Sequence, residues 1–212
     1  VICDGSSTTL SGTGANTYTW SSGVSDGVAF TPTATATYTV IGTNAVTGCT
    51  NSAVRTITVT NLPAVNANAS NSVICLGGST TLSGSGASTY TWSGGVTNGV
   101  AFSPTTTTSY TVTGAASGCT NTAVRTITVN PLPTVSSTTT GSVICNGSST
   151  TLNGTGATTY TWTGGVSNGV AFSPTTTTTY TVTGTDANGG VNTSVRTITF
   201  NSIPTSPVML SG

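Results

Sequence analysis

Short runs of this chain alternate apolar residues with threonine or serine, and Gly, Asn or Pro closes each run. A period of two marks an extended backbone with one buried face, because successive side chains point to opposite sides. The pattern is cleanest in the middle of the chain. There it predicts strands near Ser79–Ser85, Thr89–Ser93, Gly99–Ser103, Ser109–Gly114 and Ala123–Val129, after an edge segment around Ala64–Ala69. Tyr90 and Trp92 then share one face, as do Val100 and Phe102, and Tyr110 and Val112. With Leu82 and Ile127 they make the candidate core, and the threonines between them face water.

The same pattern occurs three times. Cys3, Cys75 and Cys145 are 72 and 70 residues apart, as are Trp20, Trp92 and Trp162, while Arg55, Arg125 and Arg196 are 70 and 71 apart. Five or six short strands per repeat predict an all-β chain, with three tandem immunoglobulin-like β-sandwich domains in a head-to-tail array. The expected boundaries are 1–61 for a first repeat lacking its first edge strand, then 62–130, 131–201, and 202–212 as a linker or edge strand. Trp20, Trp92 and Trp162 fall on a central strand and are expected in the core, with a sugar-stacking platform as the alternative. Tyr38, Tyr110 and Tyr180 enter a strand after threonine-rich turns, which suits a core ring whose hydroxyl bonds nearby backbone. The arginines alternate with Ile and Val, so their stems are expected to cover a sandwich edge.

Charge narrows the function. The chain has three Arg, three Asp and no His, Lys, Glu or Gln. Acid–base catalysis, an imidazole metal site and a close carboxylate pair therefore have almost no material, and neither cofactor nor metal is expected. Asp4, Asp26 and Asp186 are too scattered to supply the six to eight oxygens that calcium takes. One Arg per repeat at zero net charge offers no basic stripe for nucleic acid. No window of eighteen apolar residues predicts membrane insertion, and any export signal is expected to have been removed or to lie outside this segment.

Sandwiches of this size are marginally stable, so a covalent staple is expected. Cys3 with Cys49 and Cys75 with Cys119 hold equivalent positions, 46 and 44 residues apart, and are read as one disulfide per repeat. Persistent disulfides imply an extracellular or cell-surface location. Alignment on Arg196 puts Gly190 where a third second-site cysteine would stand, leaving Cys145 as an unpaired thiol, either buried or bridged to another molecule.

The connectors from Asn61 to Val73 and from Asn130 to Val143 span 12 and 13 residues. The tail from Asn201 has the same character, with Ile203, Pro204, Val208, Met209 and Leu210 as a possible subunit-joining strand. Two explanations stay open: a slice of a longer covalent array, or subunits joined head to tail by strand addition.

Val-Ile-Cys-x-Gly-x-Ser-Thr-Thr-Leu, Tyr-Thr-Trp, Ser-Pro-Thr-Thr-Thr-Thr-x-Tyr-Thr-Val, Gly-Cys-Thr-Asn and Pro-Leu-Pro succeed one another in this order. The series resembles the immunoglobulin-like or PKD-like repeats of giant extracellular surface proteins of Bacteroidota. The resemblance covers nearly the whole chain and implies the stalk of an adhesin or filament, often exported by the type IX system. The expected role is a non-enzymatic structural component of an extracellular filament, fibril or stalk, partnered by copies of itself. The alternative is an adhesive module that binds glycan or another cell surface through exposed turns such as Gly94–Gly99.

Overall fold

The computed structural model describes residues 1–204. They form strands and turns, with single 3-10 turns at Ser21–Gly23, Ser93–Gly95 and Thr163–Gly165 directly after each tryptophan. The chain packs as two compact units. The first holds Val1–Ser70, Thr80–Phe102 and Ser109–Thr126; the second holds Asn71–Ser79, Ser103–Thr108 and the residues from Ile127 on.

The third repeat, all within the second unit, shows the architecture in full. One sheet sets Thr150–Thr155 between Ser136–Thr139 and Ala171–Phe172. The other runs Val143–Cys145, Val191–Asn201, Thr178–Thr185, Thr159–Trp162. Every pairing is antiparallel except Val143–Cys145, which lies parallel to the end of the longest strand, Cys145 opposite Asn201. Ile144, Leu152, Trp162, Tyr180, Val182 and Ile198 fill the space between the sheets. The Phe172 ring meets Tyr180 edge-on at 5.2 Å. This is the two-layer immunoglobulin-like sandwich that the alternation predicts.

The second repeat keeps the same two strand orders, Asn66–Ala69, Thr80–Ser85, Ala101–Phe102 and Val73–Cys75, Cys119–Asn130, Thr108–Ala116, Thr89–Trp92. The strand at Val73–Cys75 carries no alternation signal, because three residues are too few to show a period of two. Val100 also departs from expectation. It is 53% exposed, since it ends the Thr97–Val100 turn and the strand begins only at Ala101, so period two does not reach it.

The first repeat has one strand fewer. Thr8–Thr9 pairs with Ala29–Phe30 alone, Thr17–Trp20, Ala36–Thr43 and Thr50–Ile57 form the facing sheet, and Ile2–Cys3 lies parallel to Val59–Thr60. The counterpart of Asn66–Ala69 and Ser136–Thr139 is missing among the described residues. The core shows it: Val112 and Val182 are fully buried, whereas their equivalent Val40 is only half-buried.

Candidate functional site

The cysteines do not pair as the sequence suggests. Cys3 bonds Cys119 of the following repeat, with Cα atoms 5.6 Å apart, while Cys49, Cys75 and Cys145 are free thiols. Neither Cys3–Cys49 nor Cys75–Cys119 forms. The reason is geometric. Cys3 pairs with Thr60, at the far end of the strand pair that begins just after Cys49. Eleven residues of extended chain separate those ends, about 35 Å at ~3.3 Å per residue, and a disulfide spans only about 4.4–6.8 Å between Cα atoms. The first cysteine of a repeat thus sits at the pole where the chain leaves, and the second at the pole where it arrives.

The seam between the first and second repeats is built from that polarity. The Cys119 sulfur lies 3.8 Å from the Thr60 carbonyl oxygen, and Asn121 Nδ2 donates to the Pro63 carbonyl at 3.0 Å. Asn192 Nδ2 makes the same bond to Pro133 at 3.0 Å. Cys75 faces the place where a third-repeat cysteine would stand: its thiol donates to the Asn188 carbonyl at 3.5 Å, two residues before Gly190. Gly190 therefore accounts for the free Cys75, and Cys145 is a free thiol as well. Cys145 is exposed, which removes the expectation of a buried thiol.

A groove of about 660 Å³ opens on the first repeat, lined by Leu10 to Ala15, Tyr18, Trp20, Gly42, Cys49 to Arg55 and their neighbours. It occupies the place that the added strand fills elsewhere. In the second repeat Ala64 and Val65 lie over Gly86 and Gly114, and in the third Thr134 and Val135 lie over Gly156 and Gly184. Gly14 is the counterpart of Gly86 and Gly156, with φ of +89° against +88° and +89°, yet a Cβ added to it would meet nothing within 4 Å. Arg196 Nη2 donates to the Ser137 carbonyl of the covering strand, whereas Arg55 is exposed in the open groove. Asn51, equivalent to Asn121 and Asn192, lines the groove, and no linker carbonyl reaches it among the described residues.

Trp20, Trp92 and Trp162 are buried at 8%, 5% and 8% exposure, as are Tyr38, Tyr110 and Tyr180. The hydroxyl that bonds nearby backbone belongs to the other tyrosine of each repeat. Tyr18 accepts from Ala15 N at 2.6 Å and donates to Ala15 O at 2.9 Å, and Tyr90 and Tyr160 do the same at Ala87 and Ala157. Sequence reading also missed the acceptor of each indole. Asn98 Oδ1 takes both the Trp92 indole N–H at 3.0 Å and the Gly84 amide at 2.8 Å, Asn168 repeats this, and Asp26 does so in the first repeat. The recurring Asx six residues after each tryptophan was the available signal. Ile203 and Pro204 are exposed and outside any strand, while Val208, Met209 and Leu210 lie outside the described residues.

No family model and no curated protein matches the sequence. Among solved structures the chain aligns with an I-band fragment of titin at 13% identity and TM-score 0.37, covering 94% of each chain. It also aligns with a Ca2+-stabilized adhesin with which an Antarctic bacterium binds ice, at 19% identity and TM-score 0.35, over 80% of this chain and 58% of that one. A 1.5-MDa bacterial ice-binding adhesin gives 19% identity and TM-score 0.31, over 79% and 74%. Alignments at this level say nothing about function.

Proposed function

We propose that the chain is a non-enzymatic structural element of an extracellular filament, fibril or stalk, in which repeats are tied covalently across their seams as well as through the linker. The Cys3–Cys119 bond carries this reading, because it joins two repeats at a separation of 116 residues and so bypasses both the linker and the sandwich between. A bond within one repeat would stabilise that repeat; a bond across the seam holds neighbours together when the chain is pulled. A persisting disulfide fits an oxidising compartment outside the cytoplasm. No helix among the described residues is long and apolar enough to cross a membrane. The adhesive alternative draws less support from the Gly94–Gly99 turn, where Asn98 is committed to the buried tryptophan.

The test is mechanical. At roughly 3.5 Å per extended residue, the segment locked between the two cysteines hides about 400 Å of contour length. Stretching the oxidised chain from its ends should leave that length unreleased, and adding reductant should release it. Equal extension of oxidised and reduced chains would mean that the seam bears no tension and the reading is wrong.

A further inference from the structure

We propose that Asn146 is a site of spontaneous deamidation, at which the third repeat takes on the aspartate that the first repeat already carries. Two stretches point to it. Val1–Leu10 and Val143–Leu152 differ only in Asp4 against Asn146, and Val24–Phe30 and Val166–Phe172 differ only in Asp26 against Asn168. Each of these Asp and Asn residues precedes a glycine. Asparagine before glycine is especially open to this reaction, because no side chain shields the glycine amide nitrogen that attacks the Asn carboxamide. The chain holds five such pairs, beginning at Asn98, Asn146, Asn153, Asn168 and Asn188, so sequence alone does not choose among them.

The glycine amides separate the five. The attacking nitrogen must first give up its proton, and an N–H engaged in a hydrogen bond does so only when that bond opens. Gly99 N donates to the Leu82 carbonyl at 2.8 Å, Gly169 N to the Leu152 carbonyl at 2.9 Å, and Gly154 N to Asn168 Oδ1 at 2.7 Å. Gly189 N donates to the Asp186 carbonyl at a longer 3.2 Å. The Gly147 amide has no acceptor among the described residues, and the Asn146 side chain has no hydrogen-bond partner among them. Both residues are exposed, in the turn that follows Val143–Cys145. Asn98 and Asn168 are pinned further, since each Oδ1 accepts from an indole and from a glycine amide. The product also fits its place. Asp4 N donates to the Thr60 carbonyl at 2.9 Å, as Asn146 N donates to the Asn201 carbonyl at 3.1 Å, so an aspartate here leaves the end of the strand pair intact.

In the reaction the Gly147 nitrogen loses its proton and bonds Asn146 Cγ, the Cγ–Nδ2 bond breaks, and ammonia carries the proton away, leaving a cyclic succinimide. Water opens the ring at either carbonyl and gives aspartate or isoaspartate. The sum is one water taken up and one ammonia released, with nothing oxidised or reduced. A chain of formal net charge +0 thereby gains a negative charge as it ages. The folded 212-residue chain is incubated in mildly alkaline heavy-oxygen water, and the label is located by peptide mass mapping. Asn146 should take up label first and Asn188 next, and the singly deamidated form should appear as a new acidic band on isoelectric focusing. Opening one hydrogen bond before attack slows it roughly tenfold, so Asn98, Asn153 and Asn168 should lag by about that factor or more. In denaturant, where no amide is protected, all five should react at comparable rates. Asn146→Asp should focus together with the aged band. The proposal falls if Asn98 or Asn168 keeps pace with Asn146 in the folded chain, if the ratio of rates is the same folded and unfolded, or if Asn146 keeps its amide while the others react.

Discussion

At the scale of single residues, one amide holds each tryptophan in place. Trp92 is apolar enough to seek the core but carries an N–H that burial would leave unanswered, and Asn98 Oδ1 answers it together with the Gly84 amide. Asn98→Ala strands both donors and should cost about 1–3 kcal/mol, read as a lower denaturation midpoint followed by tryptophan fluorescence. Asn98→Asp should be nearly neutral, since Asp26 already performs this task in the first repeat. A second contrast sets one glycine against its equivalents. Gly14, Gly86 and Gly156 share a φ close to +89°, so alanine pays the same backbone strain at each. At Gly86 and Gly156 the methyl would also collide with the carbonyl of Ala64 or Thr134, and at Gly14 it meets nothing. Gly86→Ala should therefore destabilise clearly more than Gly14→Ala in the isolated chain, measured by the same midpoint.

At the scale of elements, alternation made the long strands legible and the short ones illegible. Tyr110 and Val112, two apart in a nine-residue strand, are buried as period two requires. Val73–Cys75 has no room for a period, and its parallel pairing places the first cysteine at the exit pole of the sandwich. Equivalent positions of the cysteines in the first two repeats therefore suggested a bond that the sandwich cannot close, because spacing in sequence says nothing about which pole a residue occupies. The open groove was partly legible, as an edge strand missing from the first repeat. The geometry leads to a test in the second unit. Gly190→Cys should bond Cys75 under oxidising conditions, with Asp186 shifting to admit the new side chain from 3.0 Å. In the chain-entropy model a bridge closing a loop of this length, well over 100 residues, should add about 4–5 kcal/mol. Peptide mapping that finds Cys75 still free in this variant would contradict pairing across the seam.

At the scale of the whole molecule, the two units differ in how they are held. The first contains the Cys3–Cys119 bond, and among the described residues the second contains no disulfide. In the chain-entropy model, opening a loop of about 100 residues or more removes roughly 4–5 kcal/mol of stabilisation, and it removes it from the first unit alone. Trp20 and Trp92 report on that unit and Trp162 on the other, so tryptophan replacement separates the signals. With Trp162→Phe the remaining fluorescence should unfold at a lower denaturant concentration after reduction. With Trp20→Phe and Trp92→Phe combined, the Trp162 signal should unfold at the same concentration in both redox states. An equal shift of both signals would mean that the units unfold as one and that the bond stabilises the chain as a whole. An asymmetric shift means that each seam is locked separately, so a joint without its second cysteine, as at Gly190, is weaker while its neighbours stay intact.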